Sequence, residues 1–254
     1  MNIMNKKVFL VIQGHTQYCD TVLNNVKEVE NVIWSTDTDA PEEHLNKIEN
    51  SNVNLVVSDK PEFSGYGNVN VQVNSTIVGL EKAKLMGATH AIKMRSDLIF
   101  TNPKKFIDNY SFNDKIHQMA YCEHLPSARQ VLDICEDVSD WIEKNYSDLI
   151  NEDNGFNRYI CDFANLGPID DMILFWSLPH EEEPVAVNAE FKFLLRYFTL
   201  KKYENIDLSY EWYSTIFPFF IAYCKETNNP LISLKRGWTS NDLLNNTVDA
   251  KWLG

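Results

Sequence analysis

The chain has 254 residues, of which 44% are hydrophobic and 23% are charged, a balance typical of a globular protein rather than a disordered chain or a coiled coil. Its 36 acidic and 23 basic residues leave a formal net charge of −13. This charge excludes nucleic acid as a broad surface partner, because phosphates need clustered lysine and arginine, but it permits one phosphate-bearing ligand in a local basic pocket.

The cysteines and the apolar runs bear on the compartment. Five cysteines are widely spaced without a C-x-x-C pair, which argues against a disulfide framework or a zinc site. The apolar run at residues 8–12 is too short for a signal peptide, and Ile216–Cys224 is far below the ~20 residues that span a bilayer. We therefore expect a cytoplasmic protein with at most peripheral membrane contact.

The first half of the chain alternates short apolar runs with helical patterns. Two helices are predicted, over Thr16–Val29 and over Asn68–Met86, the second followed by Gly87 as a C-terminal cap. Four runs predict strands: Val8–Ile12, Val32–Trp34, Val53–Val57 and Ala88–Met94. Strands that alternate with helices predict an α/β fold with a doubly wound, mostly parallel twisted sheet.

Small polar residues follow each predicted strand. They are Gln13-Gly14-His15, Ser35-Thr36-Asp37, Ser58-Asp59 and Arg95-Ser96-Asp97. Ligands of such sheets bind beyond the carboxyl ends of the strands, so these residues predict the lining of a binding crevice.

The second half is less regular. Strands are predicted at Ile116–Tyr121 and Tyr159–Phe163, helices at Ser127–Ile150 and Glu190–Leu200, and a packed aromatic stretch at Tyr210–Tyr223. Since there is no repeat and no Gly/Ser-rich linker, we predict one domain over residues 1–254 with an irregular, α-rich second half.

The heptapeptide at residues 91–97 is the most informative segment. Alternation along a strand puts Lys93, Arg95 and Asp97 on one face, and such charges are costly to bury without partners. One interpretation is an edge strand or an internal salt-bridge network. The other is a phosphate site, in which the cations face a diphosphate and Asp97 binds Mg²⁺ or Mn²⁺. The preceding helix adds a strip of small and polar residues that is either a solvated face or a cleft wall: Gln72, Ser75, Thr76 and Gly79.

Several segments together resemble the WavE-type lipopolysaccharide-synthesis family, bacterial glycosyltransferases with a GT-A-like fold. In the first half these are Val11-Ile-Gln-Gly14, Ile33-Trp-Ser-Thr36, the helix with Asn70, Gln72, Ser75 and Gly79, and Ile92-Lys-Met-Arg-Ser-Asp-Leu98. In the second half they are Ile160-Cys-Asp162-Phe, Leu166-Gly167 with Asp171-Met172, and Ala189-Glu190-Phe191. The resemblance covers roughly residues 7 to 200.

This resemblance implies a glycosyltransferase of hexosyltransferase type that builds a bacterial surface polysaccharide, lipopolysaccharide or capsule. Residues 1–110 would bind the nucleotide-sugar, a nucleotide diphosphate sugar or a CMP-sugar. Residues 111–254 would bind a saccharide or lipid-linked acceptor. The implied donor-binding residues are Gln13 and Gly14 under the nucleotide, Ser35 and Thr36 near its base or ribose, Asn70 and Gln72 in the pocket wall, and Lys93, Arg95 and Asp97.

The same resemblance puts Arg95 and Asp97 at the D-x-D motif of GT-A enzymes, with Arg95 in place of the first acid. Two alternatives follow for the divalent cation. Asp97 and two phosphate oxygens can hold Mg²⁺ or Mn²⁺ together with waters. Alternatively, Lys93 and Arg95 stabilise the leaving diphosphate without a metal.

Inverting transfer needs a carboxylate that accepts the proton of the acceptor hydroxyl. The candidates are Asp162, Asp170, Asp171 and Glu190. Asp162 lies in an apolar run, where burial would raise the pKa of its carboxyl group, whereas the two acids at 170–171 also fit a helix start. We favour Asp162 or Glu190 as the base, with Asp171 as a further candidate.

Two other classes stay open. A nucleotidyltransferase that makes an activated sugar would want a glycine-rich loop with Arg or Lys after the first strand, which Gln13-Gly14-His15-Thr16 lacks. A non-catalytic nucleotide- or sugar-binding subunit would use the same strand ends without a base. The sequence contains no H-x-x-x-H, P-loop or G-x-G-x-x-G motif, which argues against zinc hydrolases, P-loop NTPases and dinucleotide enzymes.

Overall fold

The computed structural model describes residues 6–100, 102–110, 112, 114–118, 121–122, 159–160, 164–177, 221–223 and 231–233. Five α-helices lie in these ranges: α1 (Cys19–Val26), α2 (Glu42–Glu49), α3 (Val69–Leu85), α4 (Pro103–Asn109) and α5 (Ile169–Trp176). The strands of the first half are β1 (Val8–Gln13), β2 (Val32–Asp37), β3 (Asn54–Ser58), β4 (His90–Arg95) and β5 (Leu98–Phe100). Those that follow are β6 (Ile116–Gln118), β7 (Tyr121–Cys122), β8 (Tyr159–Ile160), β9 (Ala164–Pro168), β10 (Ile221–Tyr223) and β11 (Leu231–Ser233).

Seven of these strands form one twisted sheet in the order β10-β6-β9-β4-β1-β2-β3. β1 pairs in parallel with both β2 and β4, and β3 pairs in parallel with β2. β9 runs antiparallel to its neighbours β4 and β6, and β10 runs parallel to β6. The fold is therefore α/β with a mostly parallel sheet, as the sequence predicts.

One face of this sheet packs against α1 and α2. Alternate residues of β1 and β2 point to this face, and Leu10, Ile12 and Trp34 are fully buried there. Val22 and Val26 of α1 and Ile48 of α2 cover them; the residues recur at the spacing of one helix side. This layer is the main apolar core of the described part.

The other face packs against α3 and α5. At Gly79 of α3 an added Cβ would lie 2.7 Å from Val11 Cγ1 and 2.9 Å from Ser35 Cβ, so the helix lies directly on β1 and β2. α5 covers β4, where the Lys93 ammonium lies 4.1 Å from the centroid of the Trp176 ring. Helices thus cover both faces of the sheet, and the polar carboxyl ends of the strands lie together at one end of it. This end of the sheet is called the edge.

The structure refines several predicted boundaries. β1, β2 and β3 continue through Gln13, Asp37 and Ser58, so polar residues expected beyond the strands are their last members. Gln13 and Ser35 fit inside the sheet because both form hydrogen bonds with Ser75 of α3. The helix predicted over Thr16–Val29 is shorter, as α1. The helices predicted at Ser127–Ile150 and Glu190–Leu200 lie outside the described residues.

The longest helix of the described part, α3, has 17 residues, and none of the helices there combines the length and the apolar character needed to cross a membrane.

Candidate functional site

The sheet order defines a crevice between two neighbouring strands. From β1 the chain moves outward to β2 and β3 and then returns to the other side of β1 as β4. The connection through α1 packs on one face of the sheet, and the connection through α3 packs on the other. A crevice therefore opens between the carboxyl ends of β1 and β4. In open α/β sheets such a topological switch point is where ligands bind.

Gly14 directly follows β1 at this switch point and has a backbone φ of +121°. Its N–H donates to the Ser35 carbonyl oxygen at 3.1 Å, and the Ser96 N–H donates to the Gln13 carbonyl oxygen at 2.8 Å. A Cβ at Gly14 would lie 2.9 Å from Ser96 Oγ. Both the φ angle and this close approach require glycine, and they fix the loop after β1 against the loop after β4.

A buried polar network joins the ends of β1 and β2 to α3. Gln13 is 4% exposed, and its Nε2 donates to Ser75 Oγ at 3.1 Å. Ser35 Oγ donates to the Ser75 carbonyl oxygen at 2.6 Å, and Ser75 Oγ donates to the Val71 carbonyl oxygen at 2.7 Å. Among the described residues nothing donates to Gln13 Oε1 or bonds to the hydroxyl of Thr36, although both oxygens are buried.

Arg95 and Asp97 form the charged part of the edge. The Arg95 Nε donates to Asp97 Oδ1 at 2.9 Å, and its Nη2 donates to Asp97 Oδ2 at 2.7 Å. The side chains are 29% and 18% exposed, so this bidentate pair is partly shielded from solvent. Arg95 is the Cα partner of Gln13, which sets the pair directly beside the end of β1.

Lys93 lies deeper than Arg95 on the same face of β4. Its side chain is fully buried, and its ammonium group lies over the Trp176 ring of α5. A cation over the face of a tryptophan is attracted by the ring quadrupole, most strongly where water is excluded. Lys93 thus contacts the layer between sheet and helix, whereas Arg95 reaches the edge.

The two predicted pocket residues of α3 differ in their surroundings. Asn70 is 2% exposed, and its Nδ2 donates to the Phe63 carbonyl oxygen at 2.9 Å, which ties the loop after β3 to the start of α3. Gln72, by contrast, is only half-buried. Asn70 is accordingly a residue that shapes the loop.

The described residues do not by themselves fit a resident divalent cation. They include no group of three or more histidine, cysteine, aspartate or glutamate side chains that could hold a metal ion. Both carboxylate oxygens of Asp97 already accept hydrogen bonds from Arg95. A single ion-paired carboxylate falls short of the oxygen-rich shell that Mg²⁺ or Mn²⁺ needs.

Asp171 is not brought to this edge. β9 runs antiparallel to β4, so its last residue, Pro168, pairs with His90 at the amino end of β4. α5 starts there: the Ile169 N–H donates to the Thr89 carbonyl oxygen, and Asp170 forms an ion pair with Lys84 at 2.7 Å. Asp171 lies in the first turn of this helix, where a negative charge suits the helix dipole. Asp162 and Glu190 lie outside the described residues.

Trp34 is a residue of this edge that the sequence does not predict. Its Nε1 donates to the Gly14 carbonyl oxygen at 3.4 Å. Ser96, which the sequence predicts as a lining residue, lies against the position of Gly14. A tryptophan inside an apolar run predicts only a core position, so the sequence gives no signal for a hydrogen bond from its indole N–H.

A groove of about 640 Å³ lies at the opposite end of the sheet, where the strands begin, and is lined among others by Lys6, Lys7 and Tyr110.

Comparison with known proteins adds little to this geometry. No family model and no curated protein matches the chain. Among solved structures, the chain is similar to core-mannan synthase A from Aspergillus fumigatus in its Mn/GDP form, with 8% sequence identity and a TM-score of 0.42, over 91% of this chain and 75% of that one. A likeness this weak carries no argument about activity or ligands. The resemblance to the WavE-type family therefore stays a prediction.

Proposed function

We propose that the chain is a nucleotide-sugar-dependent glycosyltransferase whose donor binds at the carboxyl ends of β1 and β4. The observation that carries this proposal is the switch point, where Gly14 meets Ser96 and the Arg95–Asp97 pair lies beside the end of β1. Gly14 and Ser96 are both small, so neither covers the backbone at this point with a bulky side chain. A partly shielded guanidinium beside it suits the negative charge of a diphosphate.

In this proposal Arg95 stabilises the diphosphate that leaves when the acceptor hydroxyl attacks the anomeric carbon of the donor sugar. The bond between that carbon and the diphosphate oxygen breaks as charge builds up on the phosphate. Asp97 holds both guanidinium donors in one plane and so positions Arg95. Lys93 supports β4 from inside rather than by contact with the phosphates, because its ammonium group lies over the Trp176 ring of α5.

We propose Asp162 as the base that accepts the acceptor's proton. β9 starts at Ala164, which pairs with Met94 next to Arg95. Asp162 precedes Ala164 by two residues, and two residues of chain span at most about 7 Å. Covalent geometry alone therefore favours Asp162 over Asp171. Glu190 stays the alternative base.

The finer function rests on the sequence resemblance alone. By that resemblance the acceptor is a saccharide or a lipid-linked saccharide, and the product is part of a bacterial lipopolysaccharide or capsule.

The test is thermal and chemical unfolding of the purified chain with UDP, GDP, CDP, UMP, GMP and CMP, each with and without Mn²⁺. A ligand at 100 times its Kd adds about 2.7 kcal/mol to the free energy of unfolding. We expect this shift with one nucleotide. We also expect that nucleotide to be released from its sugar conjugate, with water attacking the anomeric carbon in place of the acceptor hydroxyl. Arg95→Met should weaken the binding about tenfold or more, because a charge-assisted contact to phosphate is lost.

A matched control is Lys104→Met, which also removes one positive charge but lies on α4 in an exposed ion pair with Asp108. Its nucleotide affinity should equal that of the wild type. No shift with any nucleotide, or equal binding by Arg95→Met, would overturn the proposed site. Binding without release of the nucleotide from any sugar conjugate would point to a non-catalytic binding subunit instead.

A further inference from the structure

The two polar atoms of the Gln13 side-chain amide differ: the nitrogen donates a hydrogen bond, whereas the oxygen has no partner among the described residues. Its Nε2 donates to Ser75 Oγ at 3.1 Å, while Oε1 is buried and accepts no hydrogen bond from any described residue. Gln13 as a whole is 4% exposed. Buried carbonyl groups in native proteins nearly always have a donor, so an acceptor left empty here needs an explanation.

The orientation of this amide follows from its neighbours. Ser75 Oγ has a single proton, which it donates to the Val71 carbonyl oxygen at 2.7 Å. The hydroxyl must therefore accept from Gln13, which identifies the nitrogen as the atom facing Ser75 and the oxygen as the atom facing away. If the amide were rotated by 180°, Oε1 would face Ser75 Oγ, whose proton is already donated to the Val71 carbonyl oxygen, and no hydrogen bond would form between the two oxygens.

The residues that pair with Gln13 on the two neighbouring strands do not satisfy Oε1 either. Ser35, the Cα partner of Gln13 on β2, uses its hydroxyl proton on the Ser75 carbonyl oxygen. Arg95, the Cα partner on β4, directs two guanidinium N–H groups at Asp97. The empty acceptor thus lies in a row of side chains whose hydrogen bonds are made elsewhere, at the last residue of β1 and next to Gly14.

We infer that Gln13 Oε1 accepts a hydrogen bond from an N–H or O–H group of the nucleoside part of the donor. This inference rests on the proposed function, since it requires a nucleotide at the switch point. Because Nε2 donates to Ser75, the polar atom of this amide that faces away from Ser75 is the acceptor Oε1. It therefore selects a ligand group that donates, either a base N–H or a ribose hydroxyl, and discriminates against a ligand that presents a lone pair there.

The test replaces Gln13 with Met, which keeps the length of the side chain and removes both polar atoms. Without nucleotide, the melting temperature of Gln13→Met should equal or exceed that of the wild type. An unsatisfied acceptor is removed, and Ser75 keeps its bond to the Val71 carbonyl oxygen. With UDP, GDP and CDP as probes, the variant should bind the nucleotide preferred by the wild type about tenfold more weakly.

The 2′-deoxy and 3′-deoxy analogues of that nucleotide separate the two sources of the donor. If a ribose hydroxyl is the donor, one analogue binds the wild type weakly and Gln13→Met makes its binding no worse. If a base N–H is the donor, the variant weakens the binding of both analogues as much as that of the parent. Either pattern supports the inference.

The control is Asn25→Leu, which removes another amide whose buried oxygen has no partner among the described residues. Asn25 lies near the end of α1 and donates to the Phe100 carbonyl oxygen, away from the switch point, so nucleotide affinity should be unchanged. Equal affinity of Gln13→Met and the wild type overturns this inference while the proposed function stands. If the wild type binds no nucleotide, both fall together.

Discussion

His117 shows how burial alone can alter the chemistry of a single side chain. It lies on β6 with 7% of its surface exposed, and its Nδ1 is within hydrogen-bond distance of the Tyr110 hydroxyl. The two rings meet edge to face, with centroids 5.5 Å apart. Burial lowers the pKa of His117 below its ordinary value, and the nearby charge of Lys115 lowers it further. The folded protein therefore resists protonation of this histidine more than the unfolded chain does.

This lowered pKa predicts a pH dependence of stability. The unfolded chain binds a proton at His117 below a pH of about 6.5, whereas the folded chain resists that proton until the pH is lower. The stability contributed by the neutral ring is thus complete above about pH 6.5 and is lost as the pH falls towards the folded pKa. In urea unfolding between pH 8 and pH 5, the free energy of unfolding should fall more steeply with decreasing pH for the wild type than for His117→Asn.

Asparagine is the matched replacement because its side chain can still bond to Tyr110 but does not titrate. The other histidines contribute equally to both proteins, so the difference between the two curves isolates His117. Parallel curves over this range would contradict the prediction.

At the scale of elements, α3 is the helix that brings most of the edge together. Ser75 and Gly79 lie on its sheet-facing side, where Ser75 bonds with Gln13 and Ser35. The helix comes this close because Gly79 has no side chain. Its first residue follows Asn68, which has a φ of +63°.

Gly79→Ala tests this close approach. An exposed helix would gain about 1 kcal/mol from the change, because alanine has the higher helix propensity. Here a Cβ would lie 2.7 Å from Val11 Cγ1 and 2.9 Å from Ser35 Cβ, so the helix or the strands must shift. Overpacking of this kind costs about 1–3 kcal/mol, and we expect a net loss in the free energy of urea unfolding.

The control is Glu81→Ala in the exposed side of the same helix, which should change the stability by about 0.5 kcal/mol or less. A stabilised Gly79→Ala variant would show that α3 does not need glycine to pack on β1 and β2.

For the molecule as a whole, the position of each strand in the sheet sets how well it is protected. β1 lies between β2 and β4, and its residues Phe9–Ile12 are fully buried. β3 is the last strand on its side of the described sheet, and Val57 on it is 42% exposed. Detaching β3 breaks the backbone hydrogen bonds to one neighbouring strand, β2, whereas detaching β1 breaks those to two, β2 and β4.

Hydrogen exchange measured by mass spectrometry should reflect this difference. We expect the amides of β1 and β4 to exchange only through global unfolding, and those of β3 about tenfold faster or more through local opening. Central strands are the last to open because their backbone bonds and their apolar contacts must be lost together. Equal protection of β1 and β3 would mean that the edge of β3 is covered.

The α/β class of the fold and several of its elements were predictable from local patterns. The helix predicted at Asn68–Met86 is observed as α3, and three of the first four strands start within one residue of the predicted position. The antiparallel course of β9 was not predictable, because its pairing partner β4 is about 70 residues away in the sequence. That course decides that Asp171 lies at the opposite edge from Asp97.

The sequence by itself determined the alternation of strands and helices, the polar ends of the strands, and the neighbouring charges of Arg95 and Asp97. These features follow from hydrophobic periodicity and from residues that are close along the chain, so they do not depend on contacts between distant segments. Only the tertiary structure decided that β4 returns beside β1 and that Lys93 lies under Trp176 while Arg95 reaches the edge. It also decided that Gln13 Oε1 accepts no hydrogen bond from the described residues. The reason is that strand order, burial and hydrogen-bond satisfaction depend on contacts between distant segments.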